Sequence, residues 1–104
     1  MQKVESVEVF DRIFEEEDYD KIVVYFHSTR DPFLEKMGEV FSKIPQDVGV
    51  FAANVDGMPE IAQRLGIDTP PITIFFKKGN IVKAVNGCDG ESVERALRQF
   101  LESA

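Results

Sequence analysis

Two side chains could take part in chemistry on their own: Cys88 and His27, the only cysteine and the only histidine in the chain. A single cysteine cannot form an internal disulfide, and thiolate zinc sites and iron–sulfur clusters need several cysteines from one chain. Acid–base chemistry or metal binding at His27 would need a nearby carboxylate, thiol or second histidine, and the sequence offers no convincing constellation. We therefore predict a hydrogen-bonded turn histidine, no metal and no cofactor.

Cys88 leaves two interpretations open. A thiolate at this position could form a mixed disulfide with a protein partner or with glutathione, provided that its pKa were lowered. Asp89 and Glu91 follow it closely, and their negative charges disfavour a thiolate. Cys88 is therefore either a structural or incidental cysteine, or a regulatory or glutathione-linked thiol.

Composition limits the kinds of partner. The chain has 104 residues, of which 43% are hydrophobic, and this predicts one compact domain over residues 1–104. Its 12 basic residues are scattered among 19 acidic ones and the net charge is −7, so we expect no binding to nucleic acid. There is no long apolar run at the N-terminus, so we expect no signal peptide and no membrane span. The scarcity of cysteine favours a reducing, cytoplasmic location.

Hydrophobic periodicity predicts an alternation of helices and strands. After a short first strand, the chain gives a helix at 7–14, a strand at 21–26, a helix at 33–44, a strand at 48–55, a helix at 59–65, a hairpin of strands at 72–76 and 81–85, and a helix at 93–101. Alternating units imply parallel strands, and the hairpin adds antiparallel pairing. We predict an α/β fold with a central mixed sheet, helices on both faces and a C-terminal helix.

Four segments resemble landmarks of the thioredoxin family, in register over essentially the whole chain. They read DKIVVYF, ANVDGMPEIAQRLGI, TPPITIFFKKGNIV and VNGCDGESVERAL. The resemblance implies the thioredoxin fold, with Pro71 at the cis-proline position and Gly87 at the family glycine. The stretch DGMPEIAQRL, the proline loop and FFKK are also similar to the thioredoxin domain of multidomain monothiol glutaredoxins.

The active motif of the family, W-C-G-P-C, falls by this resemblance on Thr29, Arg30, Asp31, Pro32 and Phe33. Thiol–disulfide exchange needs one thiolate to attack and a second thiol to resolve the mixed disulfide, and neither Arg30 nor Phe33 can serve. The resemblance also places the buried aspartate of thioredoxins at Val24 and its lysine partner at Ala52. It thus implies a site without its redox groups.

The segment from Arg30 to Phe33 has its own local signals. Asp31 and Pro32 are typical of a helix start, so Phe33 is predicted to turn into the core. Arg30, just before a helix N-terminus, is predicted to face solvent or an acidic partner. Pro70 precedes the cis-proline and has no N–H, so half of the family's backbone grip on a bound peptide is expected to be missing.

Three functions remain open. The leading hypothesis is a redox-inactive module of the adaptor or chaperone kind that binds a protein or peptide, and its surface is predicted to contain Thr29, Arg30, Asp31, Pro32, Pro70, Pro71, Gly87 and Cys88. The second hypothesis is monothiol or glutathione-linked activity through Cys88. The third is the N-terminal module of a longer glutaredoxin-type iron–sulfur protein.

Overall fold

The computed structural model describes residues 1–16 and 18–103. Its elements in chain order are β1 (Gln2–Val4), α1 (Val7–Glu15), β2 (Lys21–His27), α2 (Leu34–Phe41), β3 (Gly49–Asn54), a 3-10 turn (Val55–Gly57), α3 (Pro59–Leu65), β4 (Ile72–Lys77), β5 (Asn80–Asn86) and α4 (Gly90–Glu102). The five strands form one sheet in the order β1-β3-β2-β4-β5. The strands β1, β3 and β2 are parallel, whereas β4 and β5 are each antiparallel to their neighbours. The predicted α/β fold with a mixed sheet is confirmed.

Strand β2 lies at the centre of the sheet and is covered on both faces. Ile22, Val24 and Phe26 pack in a core cluster with α1 and α3. Val23 and Tyr25 belong to a second cluster with α2 and α4. Because successive side chains of a strand point to opposite faces, a strand between two helical layers must be apolar at every position. This explains the unbroken hydrophobic run in the sequence.

Local capping fixes where several helices begin and end. The side chain of Ser6 accepts a hydrogen bond from the N–H of Val9 at 3.2 Å, and Asp89 does the same for the N–H of Glu91 at the start of α4. Pro59 opens α3, where a missing N–H has no cost. Gly66 ends α3 with φ of 68°, a left-handed conformation that glycine adopts without strain.

The second helix is shorter than the hydrophobic stripe predicted. It runs over Leu34–Phe41 instead of 33–44. Its end is tightened because the N–H and the hydroxyl of Ser42 both donate to the carbonyl of Glu39, at 3.2 and 2.6 Å. Within the described ranges, no helix has both the length and the apolar character needed to cross a membrane.

The prediction that Phe33 turns into the core is wrong. Its side chain is 38% exposed, and it precedes the first helical residue. The buried residues of α2 are Met37 and Phe41, with Leu34 half-buried beside them. A turn before the helix directs the side chain of Phe33 outward, so its agreement with the helical spacing is fortuitous.

Candidate functional site

Strand register brings three separate segments to one end of the sheet. Phe26 pairs with Ile72 across β2 and β4, and Ile72 pairs in turn with Asn86 across β4 and β5. Beyond these pairs the N–H of Gly87 donates to the carbonyl of Pro71 at 2.8 Å. The residues after β2, before β4 and after β5 therefore lie side by side. We call the surface formed by Thr29–Phe33, Pro70–Pro71 and Gly87–Cys88 the sheet-end face, and it contains all eight residues of the predicted binding surface.

The segment that leads into α2 is organised by Asp31. One carboxylate oxygen accepts a hydrogen bond from the Tyr25 hydroxyl at 2.5 Å, and the other accepts from the N–H of Phe33 at 2.8 Å. Asp31 thus binds a free N–H near the helix start, as expected, although the helix itself begins at Leu34. The carboxylate connects this exposed turn to the buried strand beneath it.

Tyr25 was not singled out by the sequence, yet its hydroxyl is a polar group buried beneath the sheet-end face. Burial, and then the hydrogen bond to the Asp31 carboxylate, hold the pKa of Tyr25 well above its usual range. Tyr25 is consequently a neutral donor at physiological pH and cannot serve as a base.

Val24, the position to which the family resemblance assigns the buried aspartate, faces away from α2. Val24 is fully buried in the cluster with α1 and α3, on the side of the sheet away from α2. The side chain that reaches the segment before α2 is Tyr25. If the family aspartate corresponds to Tyr25 and not to Val24, the alignment with the family motif moves by one residue. The two cysteine positions then fall on Asp31 and Leu34 in place of Arg30 and Phe33.

A second hydrogen-bonded network connects the turn after β2 to the one after β3. The N–H of Thr29 donates to Asp56 at 2.8 Å, and the side-chain amide of Asn54 donates to the Thr29 hydroxyl at 3.2 Å. Hydrogen bonds from Thr29, the backbone N–H first and the hydroxyl second, hold the pKa of Asp56 below its ordinary value. The ionised carboxylate therefore helps to fix the position of Thr29.

We expect the backbone amide of Thr29 to report the titration of Asp56, with a midpoint below 3.8, the ordinary pKa of this carboxyl. Because the folded pKa is lowered, the stabilisation is present above the unfolded pKa and is lost as pH falls through the folded one. A ¹⁵N NMR titration measures the midpoint. The variant Asp56→Asn should lack the transition, and a midpoint at or above 3.8 would contradict the assignment.

His27 is buried, with 8% of its surface exposed, and is the last residue of β2. Its Nδ1 lies 2.8 Å from the carbonyl oxygen of Ser28, which can only accept, so Nδ1 carries the hydrogen. The imidazole also stacks on Tyr25, with ring centroids 6.0 Å apart. His27 is hydrogen-bonded as predicted, but it lies in a strand and not in a turn.

The exposed part of the sheet-end face is mixed in character. Thr29, Arg30, Pro32 and Phe33 are exposed, and Cys88 is half-buried. Arg30 forms no ion pair with any residue that the structure describes. A cleft of about 560 Å³ opens beside the prolines and is lined by residues 66–72 together with Asn86 and Gly87. The Pro70–Pro71 peptide bond is cis.

Removing the Tyr25 hydroxyl tests the link between the core and the face. We expect Tyr25→Phe to lower the free energy of unfolding by about 1 kcal/mol, because a partly buried hydrogen bond to a carboxylate is lost while solvent can still reach Asp31. Urea denaturation measures this difference. Tyr19→Phe is the matched control, because no hydrogen bond of the Tyr19 hydroxyl is found in the described ranges. Equal effects of both substitutions would remove the proposed role of Tyr25.

A five-stranded mixed sheet in this order, with helices on both faces and a proline loop at the sheet end where β2 leads into the second helix, defines a thioredoxin-like protein. The solved structure of Malassezia sympodialis thioredoxin superposes with a TM-score of 0.79 at 28% identity, covering 96% of this chain and 90% of that one. Nicotiana alata thioredoxin gives a TM-score of 0.85 at 21% identity, covering 95% and 90%.

Sequence comparison assigns the family. The thioredoxin of Malassezia sympodialis is 31% identical over 102 residues, which cover 92% of this chain and 97% of the relative. Mitochondrial thioredoxin-2 of Schizosaccharomyces pombe is 29% identical over 110 residues, covering 98% and 80%. No family model matches the chain. The chain belongs to the thioredoxin family.

Proposed function

We propose that this thioredoxin-family protein is redox-inactive and binds a protein or peptide through the sheet-end face. The observation that carries the proposal is the position of the only cysteine. Cys88 follows β5, whereas the segment between β2 and α2 contains no sulfur. A dithiol cannot form within one chain, whichever of the two registers is taken for the family motif.

The groups around the site support the same conclusion. Exchange requires an attacking thiolate and a resolving thiol, and Arg30, Asp31, Phe33 and Leu34 supply neither. The Tyr25 phenol beneath the face has a raised pKa, so it cannot act as a base near neutral pH. Apart from Cys88, the face therefore offers no thiol for disulfide exchange.

Surface chemistry indicates the kind of partner. Phe33 offers an exposed aromatic ring, and the neighbouring Arg30 offers a cation without an ion-pair partner in the described residues. The adjacent cleft is bounded by Pro70 and Pro71. Because Pro70 has no N–H, binding here depends on side chains and surface shape more than on strand-like pairing. A protein or peptide with an apolar group beside a carboxylate fits this surface.

An insulin-reduction assay tests redox inactivity. We expect the wild-type protein and Cys88→Ser to show the same background rate. The second candidate function is monothiol or glutathione-linked exchange. It is favoured because Cys88 belongs to the sheet-end face and is only half-buried, so that it is partly accessible to solvent. Substantial turnover by the wild-type protein that disappears in Cys88→Ser would establish this second function and contradict the first.

Affinity capture tests binding. Partners retained by the immobilised wild-type protein should be lost from Arg30→Glu/Phe33→Ser. The matched control is Lys43→Glu/Val9→Ser, since Val9 is 37% exposed and Phe33 is 38% exposed, and the change in charge is the same. A control that loses the same partners would place the binding surface elsewhere.

A further inference from the structure

We propose a second interaction surface at the outer edge of β5, where an extended acidic peptide adds to the sheet as a sixth strand. Strand β5 is the last in the sheet order and pairs only with β4 within the described residues. The backbone groups on its other side therefore have no strand partner there. An open edge of this kind is the surface on which peptides bind by strand addition.

The side chains of β5 are unusually accessible. Every residue of this strand is exposed except Val85. Ile81 and Val82 are each 51% exposed, the highest values among the exposed large hydrophobic residues. Adjacent exposed β-branched residues on an open edge form a small apolar patch that an added strand would cover.

The two faces of β5 differ in chemistry. Lys83 pairs with Phe75, which packs on the side of α4, so Lys83 lies on that side of the sheet. Ile81 pairs with Phe76, and Ala84 pairs with Ile74; both partners belong to the cluster with α1 and α3. The α4 side of the edge is thus basic, and the opposite side is apolar.

A groove of about 390 Å³ between β5 and α4 adds to the basic side. It is lined by Lys83 and Arg95 with Ser92, Gln99 and small residues, and contains no carboxylate. Neither cation forms an ion pair within residues 1–16 and 18–103. The chain as a whole has a net charge of −7, whereas the side chains that line this groove carry a positive charge.

This charge pattern favours an acidic partner over a second copy of the chain. Two copies would each bring the same net negative charge, and Lys83 on an edge strand opposes pairing between identical edges. The complementary strand alternates carboxylates, facing Lys83 and Arg95, with β-branched residues, facing Ile81 and Ala84.

The test uses the ¹⁵N-labelled protein and a short peptide of alternating Glu and Val. We expect NMR shift changes concentrated at the amides of residues 81–86. A matched peptide of alternating Lys and Val should not bind. The Glu–Val peptide with its backbone N-methylated on the residues facing β5 should also fail to bind, because it cannot form the ladder of hydrogen bonds.

Charge reversal separates specific from general attraction. We expect Lys83→Glu/Arg95→Glu to weaken binding about tenfold or more, since two attractions become repulsions. The control Arg12→Glu/Lys43→Glu changes the net charge equally at other surfaces and should bind as the wild type does. Equal losses in both variants, shifts confined to the sheet-end face, equal binding of the Lys–Val peptide, or self-association through β5 in sedimentation would each overturn the proposal.

Discussion

Phe75→Ala is expected to lower the free energy of unfolding by about 3–5 kcal/mol, the range typical of truncating a fully buried phenylalanine. Phe75 is 0% exposed, lies in β4 between β2 and β5, and packs on Phe100 of α4 with ring centroids 5.2 Å apart. Its removal leaves a cavity where α4 meets the sheet. Because small domains are stable by only about 5–15 kcal/mol, the urea midpoint should fall markedly.

Phe33→Ala is the matched control, since the chemical change is identical and the ring is 38% exposed. We expect it to cost less than about 1 kcal/mol, as surface substitutions do. A loss for Phe33→Ala as large as that for Phe75→Ala would show that Phe33 is a core residue after all. A small loss for Phe75→Ala would contradict the packing of α4 on the sheet.

Phe33 also shows what periodicity can and cannot predict. Its spacing to Leu34 and Met37 matches a helical stripe, and the existence of the helix was predicted correctly. Where the helix begins depends on a hydrogen bond from the Phe33 N–H to Asp31, which holds Phe33 in the turn before it. The spacing of apolar residues alone cannot predict that hydrogen bond.

Two cysteines introduced before α2 should give thiol–disulfide exchange at positions 31 and 34 but not at positions 30 and 33. In a Cys88→Ser background, we expect Asp31→Cys/Leu34→Cys to form an internal disulfide and to raise insulin reduction from background to a readily measurable rate. These positions stand at the start of α2 and above Tyr25, where a lowered thiol pKa is favoured by the helix N-terminus. Insulin turbidity and titration of free thiols measure the gain.

Arg30→Cys/Phe33→Cys is the comparison, because it places the pair in the register that the sequence motif suggested. We expect it to remain near background, since its side chains belong to the exposed turn and not to the turn of helix above Tyr25. Thermal unfolding of both variants shows first that each is folded. Activity of this second pair alone would restore the original register and place Val24 at the family position.

The sequence alone leaves the choice between the two registers open because of the burial of β2. When only one face of a strand is buried, the alternation of polar and apolar residues fixes which side chains point inward. Here all residues from Ile22 to His27 are buried, so the pattern is the same for both faces. The sequence could predict a central strand but not whether Val24 or Tyr25 faces α2.

The contacts that shape the site were also beyond sequence analysis. Asp56 meets Thr29 across 27 positions, and the loops that carry them show no hydrophobic period. Asp31 and Tyr25 are closer in the chain, but their contact depends on the face that Tyr25 takes. The succession of strands and helices along the chain and their approximate positions follow from the hydrophobic pattern, whereas polar contacts between loops require the assembled backbone.

The anchoring of Thr29 by Asp56, and of Asp31 by Tyr25, has a consequence for recognition. The turn between these two residues is held at both ends by rigid elements, so its backbone is ordered before any partner arrives. For the proposed partner, binding at this turn would therefore cost little conformational entropy on this side, and most of the gain from contact would be retained as affinity. We expect a mobile turn of the same composition to bind that partner more weakly.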